Sequence, residues 1–213
     1  MTVDGVVEFL RSRMADGLPG HDGFLELSGY KRPDLDAARR VDPPPRESAV
    51  LALLYPELDV PHMLLMLRPV YDGVHSGQVA FPGGRREQGD ASLQATALRE
   101  FQEETGARVE GISIIGPLSP VYIPPSRSLV TPFVGATHTL GTLAPDPREV
   151  ERLIRVPLAD LLRDDILRRR QQFIGIMGRS VEIPYFDVQG HVVWGATAMM
   201  IAELRELLRG RAA

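Results

Sequence analysis

The sequence predicts one α/β or α+β domain with helices packed on a mixed sheet. Three observations predict it: strand-length apolar runs recur from Ser48 onward, a few amphipathic stretches are interspersed among them, and no internal repeat or low-complexity tract divides the 213 residues. At the N-terminus, Val6, Val7, Phe9, Leu10 and Met14 carry a helical spacing that Gly17 and Pro19 end. Residues 18–46 are polar and turn-rich and close on Pro43, Pro44 and Pro45, which reads as an extended arm, because what precedes it is too short to fold alone. The expected division is residues 1–46 as a helix with a Pro-rich arm and 47–213 as the folded domain.

Two strands follow at 49–55 and 63–67, joined by a turn over 56–61 that contains Pro and Asp. A Gly-rich segment then leads into a helix over about 91–105, with Asp90 as its N-cap and Gly106 as its C-cap. Further strands are expected at 109–115, 129–134, 153–156, 173–177 and 181–186. Helices are expected at 158–167 and 196–208, the latter with apolar residues at Met200, Ile201, Leu204, Leu207 and Leu208. The run 173–177 reads as a buried strand, with an exposed apolar partner surface as the alternative, and Trp194 as an anchor of the last helix in the core.

Composition removes several classes. Apolar residues are 44% and charged residues 24% of the chain, with a mean hydropathy of −0.07, so neither a disordered chain nor a membrane protein fits. The longest uncharged stretches, 111–126 and 128–145, are broken by Pro, Gly, Ser, Thr and His. The first residues lack the basic start and long apolar run of a secretory signal, so a cytoplasmic protein is expected. With no Cys there is no disulfide framework, Cys-based zinc site or Cys nucleophile. No His-Glu-x-x-His pair and no Gly-x-Ser-x-Gly elbow occurs. The formal charge of −4 argues against a general nucleic-acid binder.

That charge is localised. Between residues 87 and 104 stand five acids, Glu87, Asp90, Glu100, Glu103 and Glu104, against one base, Arg99. Glu100, Glu103 and Glu104 lie at i, i+3 and i+4, which confines their carboxylates to roughly 100° of a helix. Like charges so placed repel, and hard divalent cations such as Mg²⁺ or Mn²⁺ take oxygen ligands of this kind. A solvated acidic face is the alternative. Arg99, four residues before Glu103, is placed to orient it by a charge-assisted hydrogen bond, and Gly83 and Gly84 let the backbone turn tightly ahead of the helix.

Together Gly84, Arg99, Glu100, Phe101, Glu103, Glu104, Gly106 and Ala107 resemble the Nudix box, the loop–helix–loop signature of hydrolases that cleave nucleoside diphosphates linked to another group. Asp90 stands where the family has its first Glu, and eight residues instead of seven separate it from Arg99. This expansion is similar to the coenzyme A diphosphatase branch. Upstream, Leu64, Leu65 and Arg68, then Gly77, Phe81, Pro82, Gly83 and Gly84, resemble that branch's signature, with Met66 for Thr, Pro69 for Ser or Ala, and Gly73 for Arg. Later matches are Glu149 and Val150 ahead of Val156, Pro157 and Leu158, and 193–198 opening the last helix, so the resemblance spans about 48–208.

The resemblance implies the Nudix fold, an α/β/α sandwich with a central mixed β-sheet, over 47–213. It implies metal-dependent hydrolysis of coenzyme A or its thioesters to 3′,5′-ADP and (acyl-)4′-phosphopantetheine. Glu100, Glu103 and Glu104 would hold Mg²⁺ or Mn²⁺; Glu103, Glu149 and Arg99 are the expected catalytic residues, and Arg68, Gly84, Arg85 and Arg127 the expected substrate-binding ones. Glu149 reads equally as the general base or as an exposed loop acid. His75 reads equally as a substrate contact or a packing histidine. Arg86 is a further candidate phosphate contact, and Tyr122 with 123–126 a pocket wall. The expected partner is a small nucleotide substrate, with neither nucleic acid nor a membrane, and the arm is expected to form a homodimer or cover the pocket. Two other readings stand beside this one: a Nudix hydrolase of ADP-ribose, a dinucleoside polyphosphate or a damaged nucleotide, and a non-catalytic nucleotide sensor.

Overall fold

The structure, a computed structural model, describes residues 1–28 and 35–209. The helices are α1 (Val3–Ala15), α2 (Asp22–Leu25), α3 (Leu35–Arg39), α4 (Leu93–Thr105), α5 (Leu158–Leu162) and α6 (Gly195–Leu208). The strands are β1 (Arg46–Glu57), β2 (Val60–Leu67), β3 (Val79–Ala80), β4 (Gly83–Arg85), β5 (Ser113–Pro117), β6 (Val121–Ile123), β7 (Ser128–Ala136), β8 (Arg152–Pro157), β9 (Leu167–Ile174), β10 (Arg179–Val188) and β11 (His191–Val193).

β1 is the axis of the molecule. Its apolar residues face both ways: Ala49, Leu51, Leu53 and Tyr55 pack with Ala97 and Phe101 of α4, while Ala52 and Leu54 join the core that α1 and α6 cover. A strand buried on both faces must lie between helical layers, and this one gives the α/β/α sandwich that the sequence implied. β1 runs parallel to β7 along nine residue pairs and antiparallel to β2 through a tight hairpin at Leu58 and Asp59. β8 covers the other edge of β2, and β11-β10-β9 form a second, antiparallel sheet. Among the described residues no helix is long and apolar enough to cross a membrane.

One fork in this sheet positions the site. β1 pairs with β2 over 54–57 but with β4 over 48–50. The segment that crosses between them pairs first with β2, as β3, and then with β1, as β4. Phe81, fully buried, and the Pro82 carbonyl, which accepts from Leu51 N–H at 2.9 Å, pin the crossing. Short and Gly/Pro-rich, the segment has no periodicity of its own to announce β3 and β4 in the sequence.

Several expectations are corrected. The helix expected over 158–167 ends at Leu162, because the buried Arg205 of α6 donates to the carbonyls of Leu161 and Arg163; a 3₁₀ turn at Asp164–Ile166 then leads into β9. The run 173–177 is not a buried strand: β9 is an edge strand, Phe173 is 61% exposed, and Gly175–Met177 is a 3₁₀ turn. The strand expected from 109 begins at Ser113. Ser92, not Asp90, caps α4, its hydroxyl accepting from Ala95 N–H at 3.1 Å.

The N-terminal residues pack on the core. Within the stretch expected to be extended, α2 and α3 form two short helices; 29–34 lie outside the described residues. Val3, Val6 and Leu10 are buried, and Phe24 stacks on Phe186 of β10 at 5.6 Å between centroids. Leu10→Ala should therefore cost about 3 kcal/mol of unfolding free energy, the usual value for emptying a fully buried Leu site. Denaturant melts read it; a loss below about 0.5 kcal/mol, typical of a surface change, would show that α1 does not belong to the core.

Candidate active site

α4 presents its acids to the fork. Ala97 and Phe101 bury one face of the helix, which turns Glu100 and Glu104 toward β4, and Gly106 ends it in the left-handed region at φ +70°. Glu104 is only 2% exposed; its Oε2 accepts from Gly83 N–H at 2.7 Å and its Oε1 from Arg68 Nη2 at 3.3 Å. Burial pushes its carboxyl up to about 7, against the pull of Arg68 and the Gly83 N–H, with Glu100 and Glu149 adding to the rise. The Glu100 carboxyl is raised too, by burial first, while Arg99 opposes. Gly84 leaves the room for it: a Cβ there would meet Glu100 Oε2 at 2.3 Å.

Arg99 ties the loop and helix together. Its Nε and Nη2 grip the Asp90 carboxylate at 3.0 Å each, Nη2 also donates to the Arg85 carbonyl at 2.9 Å, and Nη1 reaches Glu103 at 2.8 Å and Glu100 at 3.0 Å. Asp90 further accepts from Glu87 N–H and the Thr96 hydroxyl, both at 2.9 Å, and Arg99 holds its carboxyl well below the usual carboxylate range. That anchoring of the loop is a role the sequence reading missed. The usable signal was an acid in the loop ahead of the helix and an Arg on the helix facing it, which the N-cap pattern obscured.

The other expected residues are spread around this centre. Arg68 touches Glu104 and the Gly83 carbonyl. Glu149 sits exposed on the turn before β8, beside buried Val150, and its charge reaches both Glu100 and Glu104. Arg85 and Arg86 follow Gly84, and Arg86 pairs with Glu47 at 2.9 Å. Arg127 is turned elsewhere, donating to the Pro43 carbonyl. His75, half-buried with a positive φ, meets Gln78 at 3.2 Å, and burial holds its ring below the ordinary value.

The donor set suits a divalent cation. Two carboxylates raised chiefly by burial, with neighbouring acids adding to each and Glu149 to both, leave negative charge that a hard cation would offset. Glu103 stands apart from them as placed, 56% exposed and turned to Arg99. Among the described residues no three His, Asp or Glu side chains already form a cluster that would hold an ion.

Residues 45–174 match the family model of the NUDIX domain. The chain belongs to the Nudix family. This Nudix hydrolase is 37% identical over 191 residues to the Nudix hydrolase NudL of Enterobacter sp. (strain 638), itself uncharacterised, covering 86% of this chain and 92% of that one. It is 34% identical over 175 residues to the human mitochondrial coenzyme A diphosphatase NUDT8, covering 81% of this chain and 73% of that one. In fold it is similar to the Nudix hydrolase RenU of M. smegmatis, at a TM-score of 0.55 and 17% identity over 79% of this chain and 88% of that one. Nudix hydrolases generally use divalent metal ions, in keeping with the acids on α4.

Gly84→Ala tests the close packing of Glu100 against the loop. The methyl would displace the Glu100 carboxylate, and a displacement near 1 Å at a reacting centre costs about 10²-fold in rate. Turnover should fall by that order while the melting temperature changes little; unchanged turnover would show that Glu100 need not stay where it lies.

Proposed function

We propose that this Nudix hydrolase cleaves the diphosphate bond of coenzyme A or its thioesters, giving 3′,5′-ADP and (acyl-)4′-phosphopantetheine. The observation that carries the reading is the similarity to NUDT8, which extends across 81% of the chain and so reaches beyond the family signature to the flanking segments. Glu100, Glu103 and Glu104 would hold Mg²⁺ or Mn²⁺. A cation held there would supply charge to neutralise the diphosphate oxygens and would lower the pKa of a water bound to it.

The chain's own residues supply the rest. Glu149, outside the helix and exposed on its turn, takes the proton of the attacking water. Arg99 keeps Glu100 and Glu103 in place and fixes the loop through Asp90 and the Arg85 carbonyl. Arg68, next to Glu104, supplies a guanidinium for the diphosphate oxygens, for which its fork of donors is matched.

A second reading, hydrolysis of another nucleoside diphosphate derivative such as ADP-ribose, draws on Gly73. There the coenzyme A signature has Arg, and the Tyr71 ring closes on the empty side, 2.9 Å from where a Cβ would stand. One panel separates the readings: coenzyme A, acetyl-coenzyme A, ADP-ribose and diadenosine polyphosphates with Mg²⁺ or Mn²⁺, products resolved by chromatography. Release of 3′,5′-ADP from coenzyme A is expected; turnover of ADP-ribose with coenzyme A left intact would replace the first reading by the second.

A further inference from the structure

Where β4 leaves the sheet, the loop to α4 and the start of β1 enclose an open cavity of about 480 Å³. Three guanidiniums line it, those of Arg46, Arg85 and Arg86. Most charges around it are already matched. Asp90 is gripped by Arg99, and Glu47 pairs with Arg86. Arg46 and Arg85 are both exposed and have no side-chain partner among the described residues, with only Glu87 left to oppose them. Register places the two together. Arg85 pairs with Ser48, so Arg46, two residues earlier on β1, is its diagonal neighbour on the same face, at roughly 7–8 Å. Gly84, which faces Glu100, is the residue immediately before Arg85.

We infer that Arg46 and Arg85 form a subsite for a phosphate monoester carried by the substrate, separate from the diphosphate that the acids of α4 address. A dianionic monoester offers three acceptor oxygens, and two unpaired planar guanidiniums lining one cavity on the same sheet face match it as they do not match a neutral ribose hydroxyl. The cavity is larger than one phosphate needs, and the surplus takes the sugar that bears it. This rests on the coenzyme A reading for the identity of the substrate, because that molecule carries such a phosphate on its ribose. Arg46 lies in the arm–strand junction, outside every motif the sequence offered.

The experiment uses the full chain and two readouts. Kinetically, the ratio of kcat/KM for coenzyme A over 3′-dephospho-coenzyme A is measured for the wild type, Arg46→Gln and Arg46→Lys. The wild-type ratio should exceed about tenfold, the usual worth of a charge-assisted contact, Arg46→Gln should collapse it through KM, and Arg46→Lys should restore part of it. A ratio that Arg46→Gln leaves unchanged overturns the subsite. If neither compound is turned over, the coenzyme A reading fails, and calorimetric binding of 3′,5′-ADP against 5′-AMP decides alone. Tighter binding of 3′,5′-ADP, lost in Arg46→Gln, upholds the subsite, and equal binding by the wild type overturns it. Unchanged melting of Arg46→Gln, expected for an exposed residue, excludes a folding effect.

Discussion

Glu104→Gln is expected to lose at least about 10²-fold in kcat, since a metal ion contributes several kcal/mol to such a transition state, while the metal-free protein at pH 8 becomes more stable. The two effects share one cause. Burial pushes the folded-state carboxyl up to about 7 from an ordinary value of 4.5, so the folded protein holds its proton more tightly than the unfolded chain does. Stability from that tighter hold is fully present below about pH 4.5 and is lost as pH rises to 7. At pH 8 the chelated wild type therefore carries a burden of up to about 3 kcal/mol. Gln does not titrate, and its amide oxygen still accepts from Gly83 N–H. Melting temperature against pH, with and without Mg²⁺, should show a wild type that weakens from pH 4.5 to 7 without metal and recovers with it, and a variant that is flat and indifferent. A variant with near-wild-type turnover would remove Glu104 from the metal site.

Arg99→Ala is expected to damage fold and chemistry together. It strips a nearly buried Asp90 carboxylate of its bidentate partner, and removing one member of such a pair leaves the other charge uncompensated. It also frees the Arg85 carbonyl, Glu100 and Glu103 at once, so kcat should fall by about 10²-fold or more and melting by several degrees. Arg99→Lys, a single ammonium, cannot hold Asp90 by two bonds while reaching Glu103 and the Arg85 carbonyl, and should recover only part of either loss. If instead Arg99→Ala melts like the wild type, the Asp90 grip contributes nothing to the fold.

Much of this was legible in the sequence. β1, β2 and α4 carry dense apolar patterns, and the acids on α4 stand out because their spacing is helical and their charges would repel. What escaped has physical reasons. β3 and β4 exist because β1 and β2 diverge, a tertiary fact. The end of α5 is set by Arg205, 43 positions after Leu162 in the chain and invisible to local propensity. Asp90 passed for a helix cap because an acid ahead of a helix often is one, and only the fold reveals that Arg99 takes it. The burial of Val6 and Leu10 was foreshadowed by their spacing, that of Val3 was not, and nothing local said that α6, from the far end of the chain, would receive them.

The fork has a consequence for how the protein breathes. Arg68 stands on the branch that continues β2, Gly84 and Arg85 on the branch held by β1, and the strand joining them is buried on both faces. The branches cannot spread without breaking β1, so amide protons at 48–54 should exchange with solvent only through global unfolding, whereas those of 69–77 and 146–150 exchange by local opening. The two loops can then open while the floor beneath them, held by β1, keeps its shape.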